Sequence, residues 1–328
     1  MSLLSNSYYS SSCTDADVPK IVAAGKGKSV RIPVIRDKII SLTNKDAPTI
    51  LYLGTASFDQ KDPYIDQTKG FQDAGCEIIW VNLTKLQKST NKRKLQMENL
   101  REQFDQADAI LASGGDTRHA LQQWKNMEID HLIVKAAFRE SNPAVLCGGS
   151  AGGICWFSYC HIIQKPEDLR KKGLDQIQEH INSSYLHDCN RDDNSTVGND
   201  CIENGFNQEK NEEEPQLEYF RISGMNIVPA LCVPHHDVKP SNALPRAEDS
   251  NRMTLQYSNI PTIGIDEAAA LVLVGSQASV VSGDGKAKCY LKHCIHDNNN
   301  IGKRLKITPK HHRDEEFDIC DFFYKGNQ

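Results

Sequence analysis

No stretch of this sequence approaches the ~20 consecutive apolar residues that a membrane-spanning helix needs, so no membrane partner is expected. Basic charge is not in excess either. The 38 Lys and Arg stand against 43 Asp and Glu, a net charge of -5, which implies no nucleic-acid partner. The opening residues, Met1 to Asp17, are polar and rich in Ser and Tyr. They lack the basic and apolar regions of a secretory leader, and residues 1–18 are predicted to be a flexible segment. The 11 cysteines are odd in number and irregular in spacing, which fits no disulfide framework. Cys76, Cys147, Cys155 and Cys232 lie inside apolar runs and read as reduced, buried thiols of a cytoplasmic protein. His180, His187, Cys189 and Cys201 match no standard zinc spacing. Gly27-Lys28-Ser29 lacks the earlier glycine of a P-loop, since Val22 stands in that position. No metal and no cofactor is therefore expected.

What is present is an alternation of short apolar runs with amphipathic segments. Strands are predicted at Ile21–Ala24, Thr49–Gly54, Glu77–Val81, Ala109–Ala112, Ala144–Cys147 and Ile227–Val233. Helical patterns lie at about Tyr64–Ala74, Asn91–Phe104, Thr117–Trp124 and Ile129–Arg139, with Leu95, Leu100 and Phe104 near one face. Strand–helix–strand repetition with continuously apolar strands predicts an α/β fold with a parallel sheet covered on both faces. Later strands are expected at Thr262–Ile265, Ala269–Val274, Ser279–Ser282 and Lys288–Lys292, with Gly283-Asp284-Gly285 as a hairpin turn. Residues from about 165 to 218 break the pattern, and the Asn-, Asp- and Glu-rich core of that stretch reads as a solvated acidic insertion. The expected organisation is one catalytic α/β domain over residues 19–302 carrying that insertion, followed by a charged C-terminal extension, 303–328.

In parallel sheets, ligands sit at the carboxyl ends of the strands. Three loops there carry chemistry. Gly148-Gly149-Ser150-Ala151-Gly152 matches G-x-S-x-G between a strand and a helical pattern, Ala151–Phe157. Such a turn presents Ser150 where its neighbours lack bulk, and the following helix N-terminus favours developing negative charge. Ser113-Gly114-Gly115-Asp116-Thr117 ends a strand and opens a helix. Gly115 and Ala151 are the candidate oxyanion donors, and Asp116 or Thr117 is a candidate N-cap. Pro234-His235-His236-Asp237 follows the sixth strand, so either histidine could act as base toward Ser150. Asp266 and Glu267 lie between two apolar runs and point to opposite faces if extended, so one of them is the candidate third member.

Five short stretches in order carry a resemblance: LGTAS at 53–57, SGGDT at 113–117, GGSAGG at 148–153, PHHD at 234–237 and GIDEAAAL at 264–271. The chain resembles the peptidase E and cyanophycinase family of serine peptidases, from about Ile21 to Leu291. That likeness implies a three-layer parallel-sheet sandwich, flavodoxin-like or class I glutamine amidotransferase-like, with late β-hairpins. It implies Ser150 as nucleophile, His235 as base and Glu267 as acid, with Gly115 or Gly114 in the oxyanion hole. It also implies a small peptide substrate, with an acidic residue bound by an arginine after the histidine, Arg246 or Arg252. Gly114, Asp116 and Thr117 complete the candidate substrate-binding set. A homodimer is the assembly left open. The sequence departs from the family pattern in its insertion, its C-terminal extension and in Asp116.

Two other readings compete. A lipase-like α/β-hydrolase esterase also uses G-x-S-x-G, but in the order Ser, acid, His, and it would need His293 or His296 as base. The second is a member of the same fold that has lost turnover and acts as a binding protein. The order Ser150, His235, Glu267 favours the peptidase. Cys147, within its strand, reads as a core thiol rather than a nucleophile.

Overall fold

The computed structural model describes residues 19–85, 90–164, 217–296, 303–312, 314 and 316–324. The predicted N-terminal segment, almost all of the acidic insertion, and with it His180, His187, Cys189 and Cys201, lie outside the described residues. The chain divides into two compact units. One comprises Met1–Ile162, Arg221–Pro240 and Leu244–Gln328; the other comprises Ile163–Phe220 and Ser241–Ala243. Within the smaller unit, the N–H of Leu217 donates to the carbonyl of Asn242 at 3.3 Å. Everything that follows concerns the larger unit.

Its strands run β1 (Ile21–Ala24), β2 (Thr49–Leu53), β3 (Glu77–Val81), β4 (Ala109–Ala112), β5 (Val145–Gly149), β6 (from Phe157), β7 (ending at Ser223), β8 (Val228–Val233), β9 (Thr262–Ile265), β10 (Ala269–Val274), β11 (Gln277–Ser282), β12 (Cys289–His296), β13 (Lys303–Lys310) and β14 (Phe317–Asp318). The helices are α1 (Pro33–Leu42), α2 (Lys61–Asp73), α3 (Thr90–Gln106), α4 (Thr117–Asn126), α5 (Ile129–Ala137), α6 (Ala151–Ile154), α7 (Arg246–Gln256) and α8 (Ile319–Tyr324).

Among the described residues, a first sheet has the order β14-β11-β10-β1-β5-β4-β2-β3. Its half from β1 to β3 is parallel, and β1, β4 and β5 are buried at every position, as strands covered on both faces must be. Val22, Ile50, Tyr52, Leu111 and Val145 share one core with Ile35 and Ile39 of α1 and Phe71 of α2. A second sheet has the order β13-β12-β9-β8-β6, with β7 beyond β6.

The sheets are not the parallel array expected. β1 pairs with β10 antiparallel, and β10, β11 and β14 continue that way, so the first sheet is mixed. For β10 and β11 the reason is connection length. β10 and β11 are joined by only Gly275 and Ser276, and a link that short can join only antiparallel neighbours. The turn at Gly283-Asp284-Gly285 is no hairpin, because β11 and β12 belong to different sheets. Asp284 instead accepts hydrogen bonds from the amides of Lys286 and Ala287, both at 2.8 Å, and carries the chain from one sheet to the other. The late hairpins are β10–β11 and the pair β12–β13, whose connection lies outside the described residues.

Other elements differ locally from expectation. The helix after Ser150 ends at Ile154 rather than Phe157, because Phe157 begins β6. Leu95 is 61% exposed, whereas Leu100 and Phe104 are buried. Helix α1 opens with Pro33 at its first position, where a missing N–H is harmless. Residues 303–310 pair along all of β12, and β14 pairs with β11, so the C-terminal stretch supplies edge strands to both sheets.

Candidate active site

β5 delivers its last residue, Gly149, directly into Ser150, which has φ 54 and ψ -123. A non-glycine residue in that region costs about 1–3 kcal/mol and persists only when its surroundings hold it. Here the Ser150 amide donates to the carbonyl of Ala24 at 3.0 Å, and the Ser150 carbonyl accepts from Gly153 and Ile154 at 2.9 and 3.0 Å. Gly149 must be glycine for a different reason. A Cβ there would stand 2.6 Å from the carbonyl carbon of Lys26 and 3.0 Å from Gly27 Cα, so the loop after β1 could not lie across the turn.

The candidate base comes from the second sheet. His235 follows β8 at φ 50, and its amide donates to the carbonyl of Gly25 at 3.0 Å. Its Nε2 accepts from Ser150 Oγ at 2.9 Å, and its Nδ1–H donates to Glu267 Oε1 at 2.6 Å. The neighbouring residues form a second pair on the other side. His236 Nδ1 meets Asp266 Oδ1 at 3.4 Å, its ring lies 4.3 Å from that of Tyr290, and Asp266 Oδ2 accepts from the Lys288 amide at 2.9 Å. His235, at φ 50, and Glu267 stand in the turns that follow β8 and β9, and those turns set one His–carboxylate pair toward Ser150 and leave the other buried behind it.

The electrostatics suit a base. Burial lowers the pKa of His235; the hydrogen bond to Glu267 opposes this, and the charges of Arg246 and Lys26 reinforce it. The imidazole is therefore neutral and proton-accepting around neutral pH. Burial pushes the Glu267 carboxyl up, but the hydrogen bonds from Lys26 and His235 outweigh it, and the net shift is below the usual carboxylate range. Lys26 Nζ donates to Glu267 Oε2 at 2.7 Å. Cys147 sits fully buried within β5, its thiol pushed up by burial and donating to the Ile110 carbonyl at 3.4 Å.

The two oxyanion candidates flank Ser150. No hydrogen bond occupies the amides of Gly115 and Ala151 among the described residues, and Ala151 is the first residue of α6, where an N–H has no intrahelical acceptor. The Gly114 amide, by contrast, donates to Gln67 Oε1 at 3.2 Å. Gly115 and Ala151 are thus the pair left free to donate. Ser150, His235, Gly114 and Gly115 line a cleft of about 580 Å³ with charged walls of Lys26, Lys28, Asp62 and Asp66.

The other sequence candidates fall differently. Asp116 is the N-cap of α4, accepting from the His119 amide at 3.0 Å, and Thr117 is buried in the first turn. Arg246 is buried at the start of α7, and its charge reaches His235. Arg252 is exposed on the same helix and does not line the cleft. His293 packs edge-on against Phe322 at 4.2 Å. The side chain of His296 lies outside the described residues. Lys26 and Gln67 were missed in the sequence. Lys26 lies just past the carboxyl end of β1, so the strand-end rule, applied to the first strand as to the others, points to it.

Among the described residues, no group of three or more His, Cys, Asp and Glu side chains could hold a metal ion, and no helix is long and apolar enough to cross a membrane. Comparison with known proteins adds the following. The sequence model of Peptidase family S51 matches residues 21–203. A 120-residue stretch is 33% identical to the "Uncharacterized peptidase YgaJ" of Bacillus subtilis (strain 168), covering 36% of this chain and 46% of that protein. The chain thus spans about half the length of this curated relative. The crystal structure of a peptidase from an acI-B1 Actinobacterium resembles it with a TM-score of 0.52 and 16% identity, over 92% of this chain and 97% of that one, which is a likeness of fold. The family match contains Ser150 and ends before His235 and Glu267, so those two are tied to the site by geometry.

Proposed function

The chain belongs to peptidase family S51, and from that premise we propose that it is a serine peptidase that cleaves short peptides through an acyl-enzyme. The observation that carries this reading is the 2.9 Å contact between Ser150 Oγ and His235 Nε2 beside an open cleft, with Glu267 on the far side of the imidazole. His235 Nε2 takes the hydroxyl proton as Ser150 Oγ attacks the peptide carbonyl. Glu267 holds the tautomer with its proton on Nδ1 and stabilises the imidazolium that forms. The amides of Gly115 and Ala151 donate to the oxyanion. The imidazolium then returns its proton to the leaving amine. Water, deprotonated by the same nitrogen, releases the acyl group from Ser150.

Peptides with an acidic residue at the cleaved bond are the proposed substrates. Support comes from the buried Arg246 at the start of α7, whose charge acts on His235 although its side chain, like that of Arg252, does not line the cleft. An arginine fork suits a carboxylate. Arg252 is not part of this proposal. The test is covalent labelling with a serine-reactive organophosphonate, followed by hydrolysis of a dipeptide panel. Wild type should be labelled once, at Ser150. Ser150→Ala should escape labelling and lose roughly 10⁵-fold or more in turnover, as triad knockouts do. Undiminished hydrolysis by Ser150→Ala ends the proposal.

A further inference from the structure

Three consecutive residues at the end of β1 each hold one member of the site. The Ala24 carbonyl accepts from the Ser150 amide at 3.0 Å, and the Gly25 carbonyl accepts from the His235 amide at 3.0 Å. Lys26 Nζ donates to Glu267 Oε2 at 2.7 Å. The three partners come from separate places: Ser150 from the end of β5 in the first sheet, His235 and Glu267 from the loops after β8 and β9 in the second. Ala24 stands in register with Gly149 of β5 and Ala270 of β10, so the end of β1 lies where the two sheets bring their loops together.

The ammonium of Lys26 is the one side-chain anchor in this bracket. Resting on the reading of Ser150, His235 and Glu267 as a catalytic triad, we propose that Lys26 is a positioning residue for the reaction. A carboxylate bound only through Oε1 can swing about its side-chain torsions. With Oε2 held by Lys26, Oε1 stays on His235 Nδ1. The Glu267 amide, donating to Asp237 Oδ1 at 2.8 Å, fixes the backbone from the opposite side. The second consequence is electrostatic. Around His235, burial disfavours the imidazolium most; Glu267 favours it; Arg246 and Lys26 disfavour it. The remaining nearby charges are Lys28, Asp62 and Asp66 on the cleft walls, Asp237 on the same loop, and the His236–Asp266 pair behind. Removing the Lys26 charge therefore makes His235 easier to protonate.

As a source of stability the pair is minor. Lys26 is 43% exposed and Glu267 29% exposed, and ion pairs at such sites contribute about 0–1 kcal/mol. A merely structural role would thus show little in any assay, whereas positioning shows in kinetics. The experiment compares wild type, Lys26→Met and Lys26→Arg over the pH profile of kcat/KM on a peptide that wild type cleaves, with melting followed in parallel. Lys26→Met should lose about ten- to a hundred-fold in kcat with KM changed little. Its acidic limb should move up by roughly half a pH unit or more, and Lys26→Arg should restore both limb and most of the turnover. An unmoved limb in Lys26→Met overturns the proposal, whether turnover is intact or reduced. So does a raised KM with unchanged kcat, which would make Lys26 a substrate-binding residue. Failure of the triad itself looks different: wild type is then not labelled at Ser150 by the phosphonate, and the proposal falls with the triad.

Discussion

Adding one methyl group at Gly25 tests whether the site depends on close approach of two loops. A Cβ at Gly25 would stand 2.6 Å from the carbonyl carbon of Asp266 and 2.8 Å from the carbonyl oxygen of Ile265, and nearer still to Asp266 O. Those atoms are main chain, so no rotamer change relieves them. Ordinary carbon contacts begin near 3.5 Å, which means the loop carrying Glu267 must retreat by roughly 1 Å. Overpacking of this kind costs about 1–3 kcal/mol. The catalytic cost is larger. A shift of that size in the residue after Asp266 lengthens the 2.6 Å contact between His235 and Glu267 and disturbs the Lys26 pair. A 1 Å misplacement in an active site costs about a hundred-fold in rate. Gly25→Ala should therefore melt only a few degrees lower yet lose about a hundred-fold in kcat/KM. Gly70→Ala is the matching control. Its Cβ would meet nothing closer than 3.6 Å, within α2. There the exchange should stabilise by about 0.5–1 kcal/mol and leave kinetics alone. Gly25→Ala with wild-type melting and wild-type kcat/KM would refute the close-approach reasoning.

Two further predictions concern residues away from the reacting atoms. Asp116→Ala removes the N-cap of α4 and should cost about 0.5–2 kcal/mol in urea denaturation; a large rise in KM at unchanged stability would instead make Asp116 a substrate ligand. Lys292 is fully buried, its amine donating to Ser250 Oγ at 2.6 Å and Asn251 Oδ1 at 2.8 Å. Burial pushes its pKa down to about 7 from 10.5, with Asp266 opposing. Between those values the unfolded chain binds more protons than the native one, so this contribution to stability rises with pH across the window. The difference between wild type and Lys292→Met, followed by urea midpoints from about pH 7 to pH 10, should grow in favour of wild type; equal slopes would sink the assignment.

The local features of this protein could be read from its sequence because their causes are local. A turn that must place a side chain at positive φ beside crowded backbone needs glycines next to it, and they surround Ser150. Strands buried on both faces must be continuously apolar, and β1, β4, β9 and β10 were found at their observed bounds, as was the apolar edge strand β3. Helix α7 was missed because its polar sequence carries little apolar rhythm: only Arg246, Ser250, Met253 and Thr254 are buried. The pair His235 and His236 could not be separated by sequence, since adjacent residues differ only in the face they take, and that is decided by which sheet packs behind them.

Sequence alone determined the tight turn at Ser150, the strand–helix alternation and the loops at the strand ends. Tertiary structure decided which histidine meets which carboxylate, that β11 and β12 part into two sheets, and that Lys26 reaches Glu267 across 241 residues of chain. Periodicity and turn chemistry act over a few residues and leave a mark in the sequence. A contact between distant segments is set by how the two sheets pack, and no short pattern records it.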